Sequence, residues 1–435
     1  MYINQEQNSR IRPRIVIIGG GFGGINLAQK LKNAPVEVLL LDKHNYHTFQ
    51  PLLYQVAIGA IAADSIAFPI RRIFTYQENF SFCMTNVQQI NPESNTISTT
   101  IGEIPYDYLI IATGSNTNFF GNKEIEQFAM PMKNVPEALN LRGLILQHLE
   151  KATVTSDPQE RAALMTFVVV GGGPTGVELS GALAEMRKLI LMKDYHGLSK
   201  QDMKVYLVEG KDRLLAAMSQ GASAKAKQYL LANDVIIYNS VHVESYDGLE
   251  LKIDDGMMIK TRNVFWAAGV MGEVPKGMDG ASATKASRLQ TDEINRVKGY
   301  ENIFAIGDVS ATISDEYPNG HPGVAPAAIQ QGRWLAKNLV HLINKEPTEP
   351  FVYKDKGTLA TIGRNKAVAD IWKFHFQGFF AWLLWGFVHI MSLAGFNSKL
   401  SVFLSWAIKY FTKNSDNRLI LRNFNIETRK VEAEQ

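Results

Sequence analysis

The sequence has almost no cysteine: Cys83 is the only one among 435 residues. No internal disulfide can form, which excludes a disulfide-stapled secreted domain and fits a reducing compartment. The net charge is also small, +3, and argues against nucleic acid as a partner. Residues 366–435 carry nine Lys and Arg against five Asp and Glu, a charge of +4, so the remaining residues sum to −1. The basic excess therefore lies at the C-terminal end.

A long apolar leader is missing as well. The first apolar run, Ile15–Ile18, is four residues long and leads straight into glycines. A secretory signal needs an apolar core of about 7–15 residues, so we expect the catalytic part to stay on the cytoplasmic side. The chain has 46% hydrophobic and 20% charged residues, as globular proteins do. Its length predicts two or three domains.

Residues 14–24 (RIVIIGGGFGG) have the pattern of a buried strand followed by a glycine turn that opens a helix. Gly19 would make the tight turn, Gly21 would let backbone N–H groups approach a pyrophosphate, and Gly24 would bring helix against strand. A second apolar strand ends on Asp42, where a carboxylate accepts hydrogen bonds from a ribose 2′-OH. A lone glycine motif can be a mere structural turn. The ordered set of strand, glycines, helix, strand and acid predicts a dinucleotide site.

The same unit occurs a second time. Residues 167–176 (FVVVGGGPTG) repeat the strand and glycine turn, and the next strand ends on Glu209. Each copy later reaches a strand followed by a small-residue turn, at 109–114 and at 264–269. From the first glycine to that turn there are 93 residues in one copy (19 to 112) and 96 in the other (171 to 267). The near-equal spacing predicts a duplicated fold.

Residues 302–308 form a short apolar strand that ends in Gly-Asp. It resembles the second FAD fingerprint of flavoproteins with two dinucleotide domains, in which the aspartate, here Asp308, holds the ribityl chain. This order implies an α/β fold of two Rossmann-like dinucleotide-binding domains, with the NADH domain inserted in a discontinuous FAD domain. The bland alternative is a Gly-Asp turn after a core strand. The predicted boundaries are FAD-binding at 1–125 and 297–365, NADH-binding at 126–296, and a C-terminal region at 366–435.

Three stretches carry a closer resemblance: 42–57 (DKHNYHTFQPLLYQVA), 171–185 (GGGPTGVELSGALAE) and 325–331 (APAAIQQ). They resemble the type II NADH:quinone oxidoreductases, which are single-subunit, non-pumping respiratory NADH dehydrogenases. Relatives that use dithiols, and the sulfide:quinone reductases, need cysteines that this chain lacks. The resemblance implies non-covalent FAD, hydride transfer from NADH, two electrons passed to a membrane quinone, and a position on the inner face of the membrane. It also accounts for a longer helix between Gly176 and Glu209.

The resemblance also implies site residues. Glu178 is expected at the junction of nicotinamide and flavin, as a nicotinamide contact or a proton relay, although a first-turn acid can be a simple helix-dipole partner. Gln330 and Gln331 are expected to contact the quinone, with Gln330 also catalytic. Pro326 replaces a glutamine that many members have, so any role of that glutamine does not transfer. The helix Pro326–Ile343 would present its N-terminus to the flavin.

The remaining predicted contacts are cofactor contacts. Those expected for FAD are Gly19, Gly21, Phe22, Gly23, Gly24, Asp42, Lys43, Ala112, Thr113, Gly114, Asp308 and Ala328. Those expected for NADH are Gly171, Gly173, Pro174, Thr175, Gly176, Glu178, Glu209, Ala268 and Gly269. No metal site is expected, because the histidines do not have the spacing of a metal site. These histidines are His44, His47, His321, His375 and His389.

The C-terminal region begins with an uncharged stretch. Residues 374–398 are 25 residues without Lys, Arg, Asp or Glu, long enough to raise a membrane-spanning helix. Polar residues and three glycines interrupt it, which argues against a span. The bulkiest side chains recur at 376, 379/380, 383/384, 387/388 and 391, a helical stripe. The opposite side holds Gln377, Ala381, Trp382, Trp385 and His389.

A second C-terminal helix is expected to be amphipathic. One face carries Leu400, Phe403, Leu404, Ala407 and Phe411, and the other carries Ser401, Ser405, Lys409 and Lys413. The basic residues around these helices are Lys399, Lys409, Lys413, Arg418 and Arg422. This pattern predicts amphipathic membrane-anchoring helices of a monotopic protein on a lipid surface, where each basic side chain adds about 1 kcal/mol. The alternatives are packing on the enzyme's own core or on a second copy in a homodimer, and a true span.

Two other functions stay open at this point. One is an NADH-dependent flavoprotein reductase of a soluble acceptor such as oxygen, ferredoxin or rubredoxin. The other is a nucleotide-binding redox sensor or scaffold that turns over slowly. The apolar C-terminal helices favour a membrane quinone as the electron acceptor, because an enzyme that reduces a soluble acceptor needs no lipid-facing surface.

Overall fold

The computed structural model describes residues 12–195, 197–278, 283–412, 417–420, 422–426 and 430–432. Within them the chain divides into two compact units, each assembled from three stretches. Unit 1 draws on Met1–His47, Phe68–Asn116 and Val270–Lys356. Unit 2 draws on Thr48–Ala67, Thr117–Gly269 and Gly357–Gln435.

The elements are numbered in chain order. The strands are β1 Arg14–Ile18, β2 Glu37–Asp42, β3 Tyr46–Thr48, β4 Ala67–Pro69, β5 Phe80–Met84, β6 Val87–Asn91, β7 Thr96–Thr99, β8 Gly102–Pro105, β9 Tyr108–Ile111, β10 Ser115–Thr117, β11 Met130–Pro131, β12 Thr166–Val170, β13 Lys204–Glu209, β14 Val235–Asn239, β15 Val243–Tyr246, β16 Glu250–Ile253, β17 Met258–Lys260, β18 Asn263–Trp266, β19 Val270–Gly272, β20 Leu289–Thr291, β21 Ile303–Ala305, β22 Ser310–Thr312, β23 Thr358–Thr361, β24 Ala367–Ile371, β25 Phe374–Gln377, β26 Asn423–Asn425 and β27 Lys430–Glu432. The α-helices are α1 Phe22–Lys30, α2 Leu53–Ala57, α3 Ile70–Ile73, α4 Lys123–Phe128, α5 Val135–Val154, α6 Pro158–Leu164, α7 Pro174–Met186, α8 Met192–Asp194, α9 Gln220–Leu231, α10 Ala325–Ile343, α11 Phe379–Ser392 and α12 Phe396–Thr412.

Each unit is built on a five-stranded parallel sheet. The order is β21-β9-β1-β2-β5 in unit 1 and β11-β18-β12-β13-β14 in unit 2. The central strands β1 and β12 are apolar after their first residue, and every residue in them is buried, as strands covered on both faces require. The two orders correspond strand for strand, which confirms the predicted duplication and the α/β class.

Helices cover these sheets and bring the glycine turns into place. In unit 1, α1 packs against α10, and a side-chain carbon at Gly332 of α10 would collide with the carbonyl oxygen of Gly23. The close approach explains the glycine. In unit 2, α7 continues through a π-helical turn at Arg187–Leu191 into α8, so the predicted helix extension before Glu209 is confirmed.

The two units do not follow the predicted domain boundaries. Met278, Leu289 and Val297 pack in the core of unit 1, so the inserted unit ends at Gly269 and not at 296. Conversely, Thr48–Ala67 groups with unit 2 because α2 packs on α5 and α7. The C-terminal part of unit 2 starts at Gly357, before the predicted 366. That unit 1 takes FAD and unit 2 takes NADH stays a prediction.

The C-terminal elements form a three-stranded antiparallel sheet, β23-β24-β25, followed by α11 and α12. Phe376 belongs to β25, so the predicted helical stripe begins only at Phe379. A glycine with positive φ, Gly378, separates strand from helix and stops the helix from extending backwards. None of the helices in the described ranges is long and apolar enough to cross a membrane. Lys413 lies outside the described residues.

Candidate functional site

The glycine turn of unit 1 has the geometry that the sequence predicts. Gly19 adopts φ +110°, and its N–H donates to the carbonyl oxygen of Leu41 at 2.8 Å. A side-chain carbon at Gly24 would collide with the carbonyl oxygen of Gly19, so only glycine lets α1 start this close to β1. At Gly21 nothing lies within 4 Å of the place where a side chain would begin. That open space beside the helix N-terminus fits a pyrophosphate.

Asp42 ends β2 beside this turn. Its carboxylate accepts from the N–H of Gly20 at 2.6 Å and from the N–H of His44 at 2.7 Å. A carboxylate has about four lone-pair sites, so it can still accept from a ribose hydroxyl. Two neighbouring side chains brace the turn: the ring of Phe22 meets His47 edge-on at 5.0 Å, and Nδ1 of His47 lies 3.0 Å from the carbonyl oxygen of Gly20.

Unit 2 repeats this arrangement residue for residue. Gly171 has φ +109°, and its N–H donates to Val208 at 2.8 Å. A side-chain carbon at Gly176 would collide with the carbonyl oxygen of Gly171, and at Gly173 nothing lies within 4 Å. Pro174 opens α7, where its missing N–H costs nothing, and exposed Thr175 follows it. Both units therefore contain an equivalent dinucleotide cradle.

Glu209 in unit 2 takes the place that Asp42 has in unit 1. Its carboxylate accepts from the N–H of Gly172 and, at 2.7 Å, from the N–H of Lys211. The neighbouring cation Arg213 is occupied, because its guanidinium donates to the carbonyl oxygens of Met218 at 2.9 Å and Ala216 at 2.6 Å. The carboxylate can accept from a 2′-OH, but its charge would repel a 2′-phosphate.

We therefore expect NADH to be preferred over NADPH by about tenfold or more in kcat/KM, since misplaced like charges cost several kcal/mol. Glu209→Gln should reduce this preference mainly by raising kcat/KM for NADPH, because the amide keeps the size of the side chain and removes its charge. Steady-state kinetics with both cofactors would measure this. Equal efficiencies in the unsubstituted protein would contradict the role of Glu209.

The Gly-Asp motif and the small-residue turn lie together in unit 1. Oγ of Ser115 donates to Asp308 at 2.6 Å, and a side chain at Gly323 would begin 3.3 Å from the Asp308 carboxylate. Thr113 donates to the carbonyl oxygen of Glu273 at 2.6 Å, and Lys43 forms an ion pair with the carboxylate of Glu273 at 3.3 Å. Other predicted contacts are small and buried, namely Gly23, Ala112 and Ala328, and Gly114 has positive φ. In unit 2, Gly269 accepts from Asn118, and Ala268 precedes it.

Glu178 does not lie in the first turn of its helix. α7 begins at Pro174, so Glu178 is its fifth residue and no acid occupies the first turn. The prediction of a first-turn acid is wrong because the proline starts the helix two residues before Gly176. A second-turn carboxylate is beyond the free N–H groups, so the helix-dipole explanation loses its basis.

The Glu178 carboxyl is instead buried among aromatic side chains, with 7% of the residue exposed. Its Oε1 accepts from Nε1 of Trp385 at 3.3 Å and from the N–H of Thr361 at 3.4 Å. Burial raises the pKa of Glu178 to about 8, against the two hydrogen bonds, which lower it. A carboxyl with this pKa can both give and take a proton near neutral pH. That Glu178 contacts the nicotinamide stays a prediction.

Gln330 and Gln331 both lie on α10, and their amides are engaged by unit 1 itself. Gln330 donates to the carbonyl oxygen of Lys354 at 2.9 Å and accepts from its N–H at 3.1 Å. Gln331 is 2% exposed and accepts from the N–H of Gly307 at 2.7 Å. Gln331 therefore fastens the Gly-Asp turn to α10. A quinone contact by either residue stays a prediction.

A pocket in unit 2 lies between α2, the end of α7, the turn after β23 and the two C-terminal helices. Its walls are aromatic: Trp385 and Trp406 stack with centroids 5.1 Å apart, and Tyr54 and Tyr410 also line it. The guanidinium carbon of Arg364 lies 3.9 Å from the centroid of the Tyr410 ring. The remaining lining residues are Gln55, Ile58, Ala60, Ala182, Glu185, Thr361, Gly363, Trp382 and Lys409. Flat aromatic walls with polar groups at the edge suit a planar ring that carries oxygen atoms.

Sequence reasoning missed the pocket residues Tyr54, Gln55, Trp406 and Lys409 as a site. Tyr54 and Gln55 lie inside the stretch 42–57, where two polar groups interrupt an apolar segment, and that interruption was the available signal. Trp406, which donates to Gln55, lies 351 residues further along the chain. No local pattern could pair them.

Comparison with known proteins gives the class and then the family. Residues 13–332 match the family described as pyridine nucleotide-disulphide oxidoreductase, and residues 356–413 match the NDH2 C-terminal domain. The two sheets, the two cradles and these matches define a pyridine-nucleotide flavoprotein oxidoreductase, with FAD and NADH as its cofactors.

The relatives are more specific. The chain is 36% identical to the type II NADH:quinone oxidoreductase NdhA of Mycobacterium tuberculosis, over 92% of this chain and 87% of that one. It is 37% identical to Ndh of the same organism, over 92% and 89%. The fold matches the structure of Plasmodium falciparum NDH2 with a TM-score of 0.86, at 23% identity, over 94% of this chain and all of that one. The chain belongs to the type II NADH:quinone oxidoreductase family.

Proposed function

We propose that the protein oxidises NADH and reduces a membrane quinone, without pumping protons. FAD, held by the cradle of unit 1, would supply the redox chemistry, namely acceptance of a hydride from NADH and donation of two electrons to the quinone. The residues of the chain bind and orient the cofactor and the substrates, and they supply protons. Each cradle has free space beside its glycine turn and a carboxylate that can accept from a ribose hydroxyl, and these features support the binding of two dinucleotides.

We assign the quinone to the aromatic pocket of unit 2. The main evidence is that α11 and α12 each line this pocket with one face and expose the other face to solvent. Trp382, Trp385 and Trp406 line the pocket, whereas Phe380, Phe387 and Phe411 are 77%, 65% and 81% exposed. The same two helices therefore offer an apolar outer surface and an acceptor site, which suits a substrate dissolved in lipid.

The outward apolar surface supports peripheral attachment to a membrane. Its other exposed members are Phe374, Phe376, Phe379, Leu383, Met391, Phe396, Leu400, Phe403, Leu404 and Ile408. Residues 371–412 contain no Asp or Glu, and two of their lysines, Lys373 and Lys399, lie outside the pocket, which complements an anionic leaflet. Patches of this kind on monomers usually bind a partner or a membrane. Attachment to the cytoplasmic face of the cell membrane is part of the proposal, and a homodimer through this surface is the competing use of it.

Phe380→Glu combined with Phe411→Glu is expected to lower partition onto anionic lipid vesicles by about tenfold or more, because each substitution puts a charge where an aromatic ring would enter the interface. NADH-driven reduction of a water-soluble dye should continue, since both residues point away from the pocket side of their helices. Vesicle co-sedimentation and dye kinetics measure the two effects.

Phe120→Glu is the matched control. Phe120 is 67% exposed but lies beside Gly269 on another part of unit 2, so vesicle binding should stay unchanged. If the double variant keeps its vesicle binding and instead changes from dimer to monomer in size-exclusion chromatography, the apolar surface is a subunit interface and the membrane assignment is wrong.

Steady-state NADH oxidation with and without added quinone tests the reaction itself. We expect oxidation to depend on quinone and to saturate with it. A rate that is set by oxygen or by a soluble iron–sulfur protein, and that quinone does not raise, would contradict the proposal.

A further inference from the structure

The pocket contains a hydrogen-bond chain whose direction is fixed by chemistry. Nε1 of Trp406 lies 2.7 Å from Oε1 of Gln55, and Nε2 of Gln55 lies 3.0 Å from the hydroxyl of Tyr54. An indole N–H donates only, so Gln55 must turn its carbonyl oxygen to Trp406. Its amide N–H groups then face Tyr54, and the hydroxyl oxygen of Tyr54 is the acceptor.

This direction leaves the Tyr54 proton available. The oxygen already accepts from Gln55, so the O–H group must donate to something else. Among the residues that the structure describes, Gln55 is the one hydrogen-bond partner of this hydroxyl. Tyr54 is 4% exposed and lines the pocket, so the acceptor is a molecule inside the pocket. A carbonyl oxygen of a ligand in the pocket can be that acceptor.

We propose that Tyr54 donates its O–H to a carbonyl oxygen of the bound quinone and is the group that transfers a proton to it. The inference rests on the proposed quinone reduction. Overall, NADH, one proton and the quinone give NAD⁺ and the quinol. As two electrons reach the quinone, the O–H bond of Tyr54 breaks and an O–H bond forms on one quinol oxygen. The other quinol oxygen takes as its proton the hydrogen that NADH gives up, which completes the quinol. A proton from Glu178 restores the tyrosine, and Glu178 regains its own from water.

In this scheme the proton comes from Glu178, which lies on α7, the helix that packs on α2 and its Tyr54. Burial, and then the negative charge of Glu178, raise the pKa of Tyr54 well above its ordinary value. A free tyrosinate is therefore strongly disfavoured, and Tyr54 must gain a proton as it gives one. The Glu178 carboxyl has a pKa of about 8 and is held by Trp385. It can supply a proton near neutral pH.

The C-terminal helices contact both the chain from Trp406 to Tyr54 and the separate Glu178 carboxyl. Trp385 on α11 donates to Glu178, and Trp406 on α12 donates to Gln55, while the two indoles stack on each other. Gln55 touches no substrate in this scheme. It is a positioning residue, because it sets which way the Tyr54 hydroxyl donates.

Tyr54→Phe tests the proposal, because it removes the O–H and keeps the ring. We expect kcat for quinone reduction to fall by about 10²-fold or more, the scale of positioned acid catalysis. Bound FAD and dye reduction by NADH should stay within about twofold. Quinone binding, read from quenching of the pocket tryptophans, should weaken by about tenfold or less, since one hydrogen bond is lost.

Gln55→Glu tests the direction of the chain. The substitution keeps the size and the bond to Trp406, but a carboxylate only accepts and would capture the Tyr54 O–H. We expect kcat for quinone to fall by about tenfold or more with KM little changed. Tyr246→Phe, a buried tyrosine in the core of unit 2, is the matched control and should leave quinone reduction unchanged.

The outcomes separate the two claims. Quinone reduction at the normal rate by Tyr54→Phe would overturn the role of Tyr54 and leave the proposed function standing. Loss of quinone binding in that variant, with FAD retained, would also overturn it, because Tyr54 would then only shape the pocket. If the unsubstituted protein neither binds nor reduces quinone, the proposed function fails first and the role of Tyr54 fails with it.

Discussion

Glu178→Gln is expected to lower quinone turnover by about 10²-fold or more while FAD stays bound. The amide keeps the size of the side chain and can still accept from Trp385, but it cannot deliver a proton. The measurement is kcat with quinone between about pH 6 and pH 9, together with the flavin content of the purified variant. Glu124→Gln, at an exposed position, is the matched control and should leave turnover unchanged.

Near-normal quinone reduction by Glu178→Gln across that pH range would contradict the relay. Glu178 would then be a structural acceptor for Trp385 and Thr361. A loss of FAD in the same variant would contradict the account in another way, because Glu178 belongs to unit 2 and FAD is assigned to unit 1.

The same substitution is expected to stabilise the fold as the pH rises. The pKa of Glu178 is raised from 4.5 to about 8 by burial, so between these values the folded state holds a proton that the unfolded state has released. The free energy of unfolding therefore falls as the pH rises through this window, and the loss is complete above the folded pKa. Glutamine does not ionise and escapes the loss. The difference in Tm between the variant and the unsubstituted protein should grow from about pH 5 to about pH 8.

Gly24→Ala and Gly176→Ala are expected to disable the two dinucleotide cradles separately. In each case the new carbon would collide with a carbonyl oxygen of the glycine turn, Gly19 or Gly171, and overpacking of this kind costs about 1–3 kcal/mol or more. Gly24→Ala should purify without most of its FAD. Gly176→Ala should keep FAD, and its KM for NADH should rise by about tenfold or more, since the helix no longer approaches the pyrophosphate. Absorbance of the purified variants and NADH kinetics measure both effects.

Gly221→Ala is the control for these substitutions. Gly221 lies in α9 of unit 2, where nothing is within 4 Å of the new carbon, and alanine favours a helix over glycine. It should bind both cofactors normally. If Gly24→Ala weakened NADH binding and spared FAD, the assignment of cofactors to the two units would be reversed.

The nucleotide cradles were predictable from sequence because their determinants are local. Gly19, Gly24 and Asp42 lie within one strand-turn-helix-strand segment, and each glycine meets backbone from the same segment or from the neighbouring strand. The second copy, from Gly171 to Glu209, repeats this order of elements with a longer helix, so two observations supported one interpretation. Apolar periodicity likewise identified both faces of α11 and the exposed apolar face of α12.

The sequence could not predict which helix face is buried or which hydrogen-bond partners the polar side chains have. The bulky stripe of α11 is exposed, whereas Trp385 on its other side is buried against Glu178, and periodicity marks faces without saying which one meets the core. The sequence predicts Gln331 at the quinone, but it does not indicate that the amide oxygen of Gln331 accepts from the N–H of Gly307. The pairing of Gln55 with Trp406 joins α2 to α12 and depends on the folded chain alone.

The absorbance spectrum of the bound flavin tests the central claim most directly. In the absence of oxygen, one equivalent of NADH should bleach the spectrum, and one equivalent of quinone should then restore it while quinol forms. Bleaching by NADH that a soluble acceptor reverses and quinone does not would contradict the account.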